Sequence, residues 1–167
     1  MLSLIQHKIK DQKSLQKSLA LWRFKDQKIV FTNGCFDLLH YGHIHYLAAA
    51  KTLGDILIVG LNATASVQRL KGTHRPINDD LTRQHLLASL FFVDAVIEFE
   101  EDTPYALIQW IQPDVLVKGG DWKVEDIVGS DLVLQKGGDV KSLPFVEGYS
   151  TTAIEKRILN GKRVNDK

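Results

Sequence analysis

Cysteine is almost absent: Cys35 is the single one in 167 residues. One thiol cannot form an internal disulfide, and without a second it makes neither a redox pair nor a thiolate zinc site, so a reducing, cytoplasmic setting is expected. Long apolar runs are lacking too. The N-terminal Met1-Leu-Ser-Leu-Ile-Gln-His-Lys has no stretch suited to a signal peptide, and nothing later approaches a membrane span, so no membrane partner is expected. Charge of one sign is equally scarce. The 21 basic side chains meet 20 acidic ones, and no long basic run offers a nucleic-acid surface. Also missing are Gly-x-x-x-x-Gly-Lys-Ser/Thr, a Gly-x-Gly-x-x-Gly after a strand, and a Gly-x-Ser-x-Gly elbow. These absences argue against a P-loop enzyme, a dinucleotide-binding dehydrogenase and the simplest hydrolases.

What is present reads as an ordinary globular chain, with 44% hydrophobic and 25% charged residues and the length of a single domain. Apolar runs at 28–32, 55–61, 95–99, 114–118 and 139–143 predict five strands. Between them lie helical segments: one runs from the turn at His43 to Leu53 with Ile44, Leu47 and Ala48 on one face. Another spans Asp80 to Leu90, with Leu81, Leu86, Leu87 and Leu90 inward and Arg83 near its start. Two more cover 103–112 and 153–159. The stretch 124–136 is less regular. Residues 1–27 read as an N-terminal helical extension, capped by Ser14 and packing through Leu15, Leu19 and Trp22, ahead of a domain at 28–167. Strands alternating with helices predict an α/β fold with a doubly wound, five-stranded parallel sheet.

The chain is organised around Ile29-Val-Phe-Thr-Asn-Gly-Cys-Phe-Asp-Leu-Leu-His-Tyr-Gly-His43. A buried strand runs into a tight turn and a helix start. There the unpaired N–H groups and partial positive charge of the helix suit an anion. His40 and His43, three apart around Gly42, could both donate to phosphoryl oxygens; the plainer alternative is one capping and one packed histidine. Leu70-Lys-Gly-Thr-His-Arg-Pro-Ile77 is either a solvated loop or a triphosphate contact, with Lys71 foremost and His74 and Arg75 behind it. Gly119-Gly120 is a tight turn or a close backbone approach. Ser150, Thr151 and Thr152 cap a helix, which at the same sheet edge would form a second phosphate cradle. The candidate contacts all follow strands. That shared edge implies one site.

Gly34-x-Phe-Asp37 followed by His40-x-Gly-His43 resembles the signature of the HxGH nucleotidyltransferases, small cytidylyl- and adenylyltransferases with a Rossmann-like fold. In that superfamily the two histidines stabilise the transition state as an acceptor phosphate attacks the α-phosphorus of a nucleoside triphosphate and expels pyrophosphate. Thr32 to Asp37, Arg69-Leu-Lys-Gly72, Arg75-Pro76, Phe99 to Pro104, Val117 to Asp121 and Ser150 to Thr152 are similar to its ADP-heptose-forming adenylyltransferases. The resemblance implies His40, His43 and Lys71 as catalytic. It also implies nucleotide contacts at Thr32, Asn33, Gly34, Cys35, Phe36, Asp37, Gly42, Lys118, Gly119, Gly120, Asp121, Ser150, Thr151 and Thr152, and no protein metal site.

The implied substrates are ATP, carrying Mg2+, and D-glycero-β-D-manno-heptose 1-phosphate. The products would be pyrophosphate and ADP-heptose for the lipopolysaccharide inner core. Since nothing kinase-like precedes the domain, the free-standing form is expected, with a separate heptose kinase supplying the acceptor and a homodimer or larger homo-oligomer as the assembly. Two departures stand out: Glu155 where the superfamily's closing segment has arginine, and Thr64 where the heptose branch usually has aspartate. A glycerol-3-phosphate-type cytidylyltransferase shares much of the pattern and is the alternative enzyme. A non-catalytic nucleotide sensor is the alternative of another class.

Overall fold

The apolar runs pair side by side as a parallel sheet. In the computed structural model, which describes residues 1–161, the strands are β1 (Ile9–Lys10), β2 (Ile29–Gly34), β3 (Ile56–Asn62), β4 (Ala95–Phe99), β5 (Val115–Gly119) and β6 (Asp139–Leu143). Residues 162–167, the end of the expected 28–167 domain, lie outside the described residues. The order across the sheet is β1-β4-β3-β2-β5-β6, with every neighbour parallel. The helices are α1 (Leu2–Lys8), α2 (Gln12–Phe24), α3 (Tyr41–Lys51), α4 (Thr64–Lys71), α5 (Asp80–Ser89), α6 (Tyr105–Ile111), α7 (Ser130–Gln135) and α8 (Thr151–Leu159).

Alternation along the strands divides the core in two. Ile29 and Phe31 of β2 with Ile56 and Ile58 of β3 pack against Leu15 and Leu19 of α2 and Ile108 and Ile111 of α6. Val30, Leu57 and Val59 face the opposite layer, with Tyr46, Leu47 and Ala50 of α3 and Leu87 and Ala88 of α5. With helices on both faces, β3 is buried at every position, as a central parallel strand should be. Aspartates close the amino edge of the sheet. Asp55 accepts from the Lys28 amide, Asp114 from Ile29 and Asp94 from Leu57, at 2.7 to 2.8 Å.

The sheet has six strands where five were expected. The sixth, β1, pairs Ile9 with Val96 and Lys10 with Ile97, and two residues are too few to give a periodic signal. Asp11, not Ser14, caps α2. The Ser14 amide donates to Asp11 Oδ1 at 2.7 Å and the Asp11 amide to Ser14 Oγ at 3.1 Å, a reciprocal capping box. In α3 the inward side carries Tyr46 and Leu47, while Ile44 is exposed. In α5, Leu81 and Leu86 face outward because Arg83 and Leu87, one turn apart, take the inward stripe. The irregular stretch folds as a 3-10 turn at Val124–Asp126 followed by α7. Among the described residues no helix is long and apolar enough to cross a membrane.

Leu15 is fully buried between α2 and the sheet. Leu15→Ala is expected to cost about 2 to 5 kcal/mol, measured by urea unfolding, with one transition if α2 and the sheet unfold together.

Candidate active site

β3 and β4 continue from one edge of β2, whereas β5 and β6 continue from the other, so strand order reverses at β2 and a crevice opens beyond the carboxyl ends of β2 and β5. Two adjoining cavities of about 470 and 170 Å³ occupy it. Both are lined by Asn33, Gly34 and Cys35 from the end of β2, Lys71 from the end of α4, Lys118 and Gly119 from β5, and Phe145. The smaller also reaches Phe36, Asp37, His43 and Thr151, and the larger reaches Asn62, Trp122, Asp126 and Val128. A hollow of about 810 Å³ between the start of α2 and the end of β4 contains none of the expected site residues.

His40 is the N-cap of α3, and its Nδ1 accepts from the His43 amide at 3.3 Å. An accepting Nδ1 carries no proton, so the neutral ring presents Nε2–H. The two imidazoles stack with centroids 3.8 Å apart and planes within 19°. Burial lowers the pKa of His40, and burial together with the neighbouring His40 takes His43 down to about 4. Both rings are therefore neutral hydrogen-bond donors near pH 7. Gly42 leaves little room for a side chain between them. A Cβ there would lie 3.1 Å from His40 Nδ1 and 3.2 Å from the Tyr149 Cβ. The Phe36 ring meets His43 edge-on at 5.2 Å and walls the site.

Lys118 is largely buried; desolvation lowers its ammonium pKa, with Cys35 opposing and Lys71 reinforcing. The two lysines thus put converging positive charge beside the stacked histidines. Ser150 caps α8, accepting from the Ala153 amide at 3.1 Å, and brings Thr151 to the cavity wall, whereas Ser150 and Thr152 are themselves exposed.

Other expected contacts are engaged within the protein. The buried Thr32 hydroxyl bonds Tyr46, whose hydroxyl donates to the Val117 carbonyl at 3.2 Å, a lock between β2, α3 and β5. Asp37 is 4% exposed and accepts from the Ile77 and Asn78 amides at 2.7 and 3.0 Å and from Arg75 Nη1 at 2.9 Å. Burial opposes its ionisation, but these donors win and hold the carboxyl below the usual range. Arg75 bonds Glu155 with its other nitrogen, so it pins α8 to the loop before α5, and His74 is exposed. Gly120, at φ +123°, lets Trp122 fold back and donate its indole N–H to the Gly119 carbonyl at 3.0 Å; a Cβ would lie 2.7 Å from that nitrogen. Asp121 is exposed and lines neither cavity.

The cytidylyltransferase-like family model matches residues 31–157. The chain belongs to the cytidylyltransferase-like family. It is therefore an enzyme of the nucleotidyltransferase class. It is 54% identical over 152 residues to the bifunctional protein HldE of Trichlorobacter lovleyi, covering 91% of this chain and 31% of that protein. It is likewise 54% identical over 153 residues to HldE of Wolinella succinogenes, covering 92% and 31%. The chain thus spans about a third of the length of these relatives. A lipopolysaccharide core biosynthesis protein from Thermoplasma volcanium has the same fold, with a TM-score of 0.58 and 31% identity over 74% of this chain and 99% of that one.

Within this cytidylyltransferase-like site, sequence reasoning missed Asn62, Tyr46, Phe145 and Trp122, and gave Arg83 no role. Asn62 ends a strand, and its place beside the expected contacts was the available signal. Trp122 closes the Gly119-Gly-Asp-Trp122 run that follows β5, which was its available signal, whereas Phe145 carries no pattern; both reach the cavity through loop paths. Among the described residues no three His, Cys, Asp or Glu side chains come together as a metal-binding group.

Two acid titrations should separate. An unfolded histidine holds its proton up to about pH 6.5, while folded His43 releases it until about 4. Between those values the unfolded chain binds the extra proton, so stability falls as pH drops from 6.5 towards 4. Asp37 has the depressed-carboxylate sign: its contribution is present above about pH 4 and lost below. Denaturation midpoints against pH should fall in both windows, with His43→Gln flattening the upper one. Asp37→Ala, which strips a buried partner from Arg75, should cost about 3 kcal/mol.

Proposed function

We propose that the chain is the adenylyltransferase that joins ATP to D-glycero-β-D-manno-heptose 1-phosphate, forming ADP-heptose and pyrophosphate. The observation that carries the reading is the stacked pair of neutral histidines beside a crevice lined by Lys71 and Lys118. The heptose acceptor rests on the motif resemblance, supported by the similarity to the HldE proteins and to a lipopolysaccharide core biosynthesis protein.

In this reaction a phosphate oxygen of the sugar phosphate attacks the α-phosphorus. The bond from that phosphorus to the bridging oxygen breaks, and pyrophosphate leaves with the electron pair. The attacking oxygen is already anionic, so no strong base is needed. Catalysis consists of alignment and of donors placed where negative charge grows. His40 offers Nε2–H from a ring whose orientation the His43 amide fixes. His43 donates from a half-enclosed site against Phe36, and Lys71 and Lys118 neutralise the triphosphate. Thr151, at the start of α8, adds a helix N-terminus to the same cavity. Magnesium would arrive on the triphosphate, keeping most of its water and needing few protein ligands. A heptose kinase acting beforehand supplies the acceptor, and the setting is cytoplasmic.

Pyrophosphate release measured for ATP and CTP, each with heptose 1-phosphate and with glycerol 3-phosphate, is expected only for ATP with the heptose. Turnover of CTP with glycerol phosphate would overturn the acceptor and base. His43→Ala is expected to lower kcat by about 10²- to 10³-fold, with ATP binding by calorimetry largely retained. A protein that binds ATP but releases no pyrophosphate with any pair would be a sensor instead.

A further inference from the structure

Arg83 is the largest fully buried side chain, at 0% exposure, and its guanidinium lies directly behind the candidate site. Nη1 donates to the Cys35 carbonyl and to the Asn62 carbonyl, both at 2.8 Å. Those two residues, from the ends of β2 and β3, line the larger cavity. Nη2 is ion-paired with Asp80 Oδ1, while Nε has no partner among the described residues. A buried guanidinium needs a nearby countercharge to keep its geometry.

The same Asp80 oxygen has a second task. It accepts from the Thr64 amide at 3.0 Å and the Thr64 hydroxyl at 2.9 Å. Thr64 is the first residue of α4, whose own N-cap, Ala63, has no side chain able to cap it. Asp80 therefore caps α4 from another helix. Lys71 is the last residue of that short helix, so fixing its first turn fixes where Lys71 starts.

We propose that Asp80 and Arg83 are a positioning pair that couples Lys71 on α4 to the Cys35 turn and the Asn62 strand end, with Asp80 providing the carboxylate that residue 64 does not. The proposal deepens the adenylyltransferase reading and rests on it for the consequence in turnover. One carboxylate oxygen joins three pieces of the crevice wall. Loss of its charge releases Arg83, and with it the Cys35 and Asn62 carbonyls; loss of the whole group also releases α4.

The test is hydrogen–deuterium exchange at 33–37 and 64–71, with steady-state kinetics, on the full chain. In Asp80→Ala, exchange should rise in both segments and kcat should fall about tenfold to a hundredfold, with a smaller change in KM for ATP. In Thr64→Asp/Asp80→Ala the carboxylate returns from the neighbouring backbone, and both exchange and kcat should recover most of the way. Asp80→Asn keeps an acceptor for Thr64 but removes the charge, so exchange should rise at 33–37 with 64–71 near wild type; this variant serves if Asp80→Ala does not fold. A rise confined to 64–71 in Asp80→Ala, no recovery in the double variant, or an unchanged 33–37 segment in Asp80→Asn would overturn the pair. A wild-type chain silent with ATP and heptose 1-phosphate would count against the adenylyltransferase reading, while the exchange measurements still decide the coupling.

Discussion

A parallel sheet covered by helices on both faces can place polar chemistry only at its two ends, and in this protein the two ends are treated oppositely. At the amino edge, Asp55, Asp94 and Asp114 bond the first amides of neighbouring strands and close that end. At the carboxyl edge, the reversal of strand order at β2 leaves a crevice that stays open among the described residues. Strand ends supply Asn33, Gly34, Asn62, Lys118 and Gly119 to that crevice, and the ends of helices supply His43, Lys71 and Thr151.

The cations around the crevice divide by burial and partner. Arg75 and Arg83 are enclosed and matched to carboxylates, Arg75 by Asp37 and Glu155 and Arg83 by Asp80, and they bind protein to protein. Lys71 and Lys118 are among the residues that line the cavities. The histidines between them are neutral, which avoids further like charge beside two ammonium groups and leaves ring N–H donors for phosphoryl oxygens. Arginine suits the structural role because its planar fork satisfies several acceptors at once; Nη1 of Arg83 alone serves two carbonyls.

The sheet's character, the strand that ends at Gly34 and the histidine turn were legible because each is a local pattern: an apolar run, a turn cluster, a three-residue spacing. β1 was not, because two residues have no period. The inward stripe of α5 departs from the apolar pattern because leucine at 81 and 86 outweighs an arginine in any apolar count, yet Arg83 bonds strand-end carbonyls and is buried while both leucines stay exposed. The motif residues lie at the carboxyl edge of the sheet, but some, such as Thr32 and Gly120, shape the site from within rather than face its cavity. A sequence does not distinguish those two uses of one motif, since both keep the same residues at the same spacing. Phe145 and Trp122 depend on the path of loops, which local patterns do not encode.

The capping role of His40 has an evolutionary consequence. A helix start is ordinarily held by serine, threonine, asparagine or aspartate, and here an imidazole nitrogen does that work while the ring stacks on His43, which lines the smaller cavity. A lineage that stopped needing the chemistry would lose nothing in folding by drifting to one of those common caps at position 40. Descendants that keep Gly42, Asp37 and the whole sheet but carry serine or aspartate there would be well-folded relics of this enzyme, and that single position would separate working copies from repurposed ones.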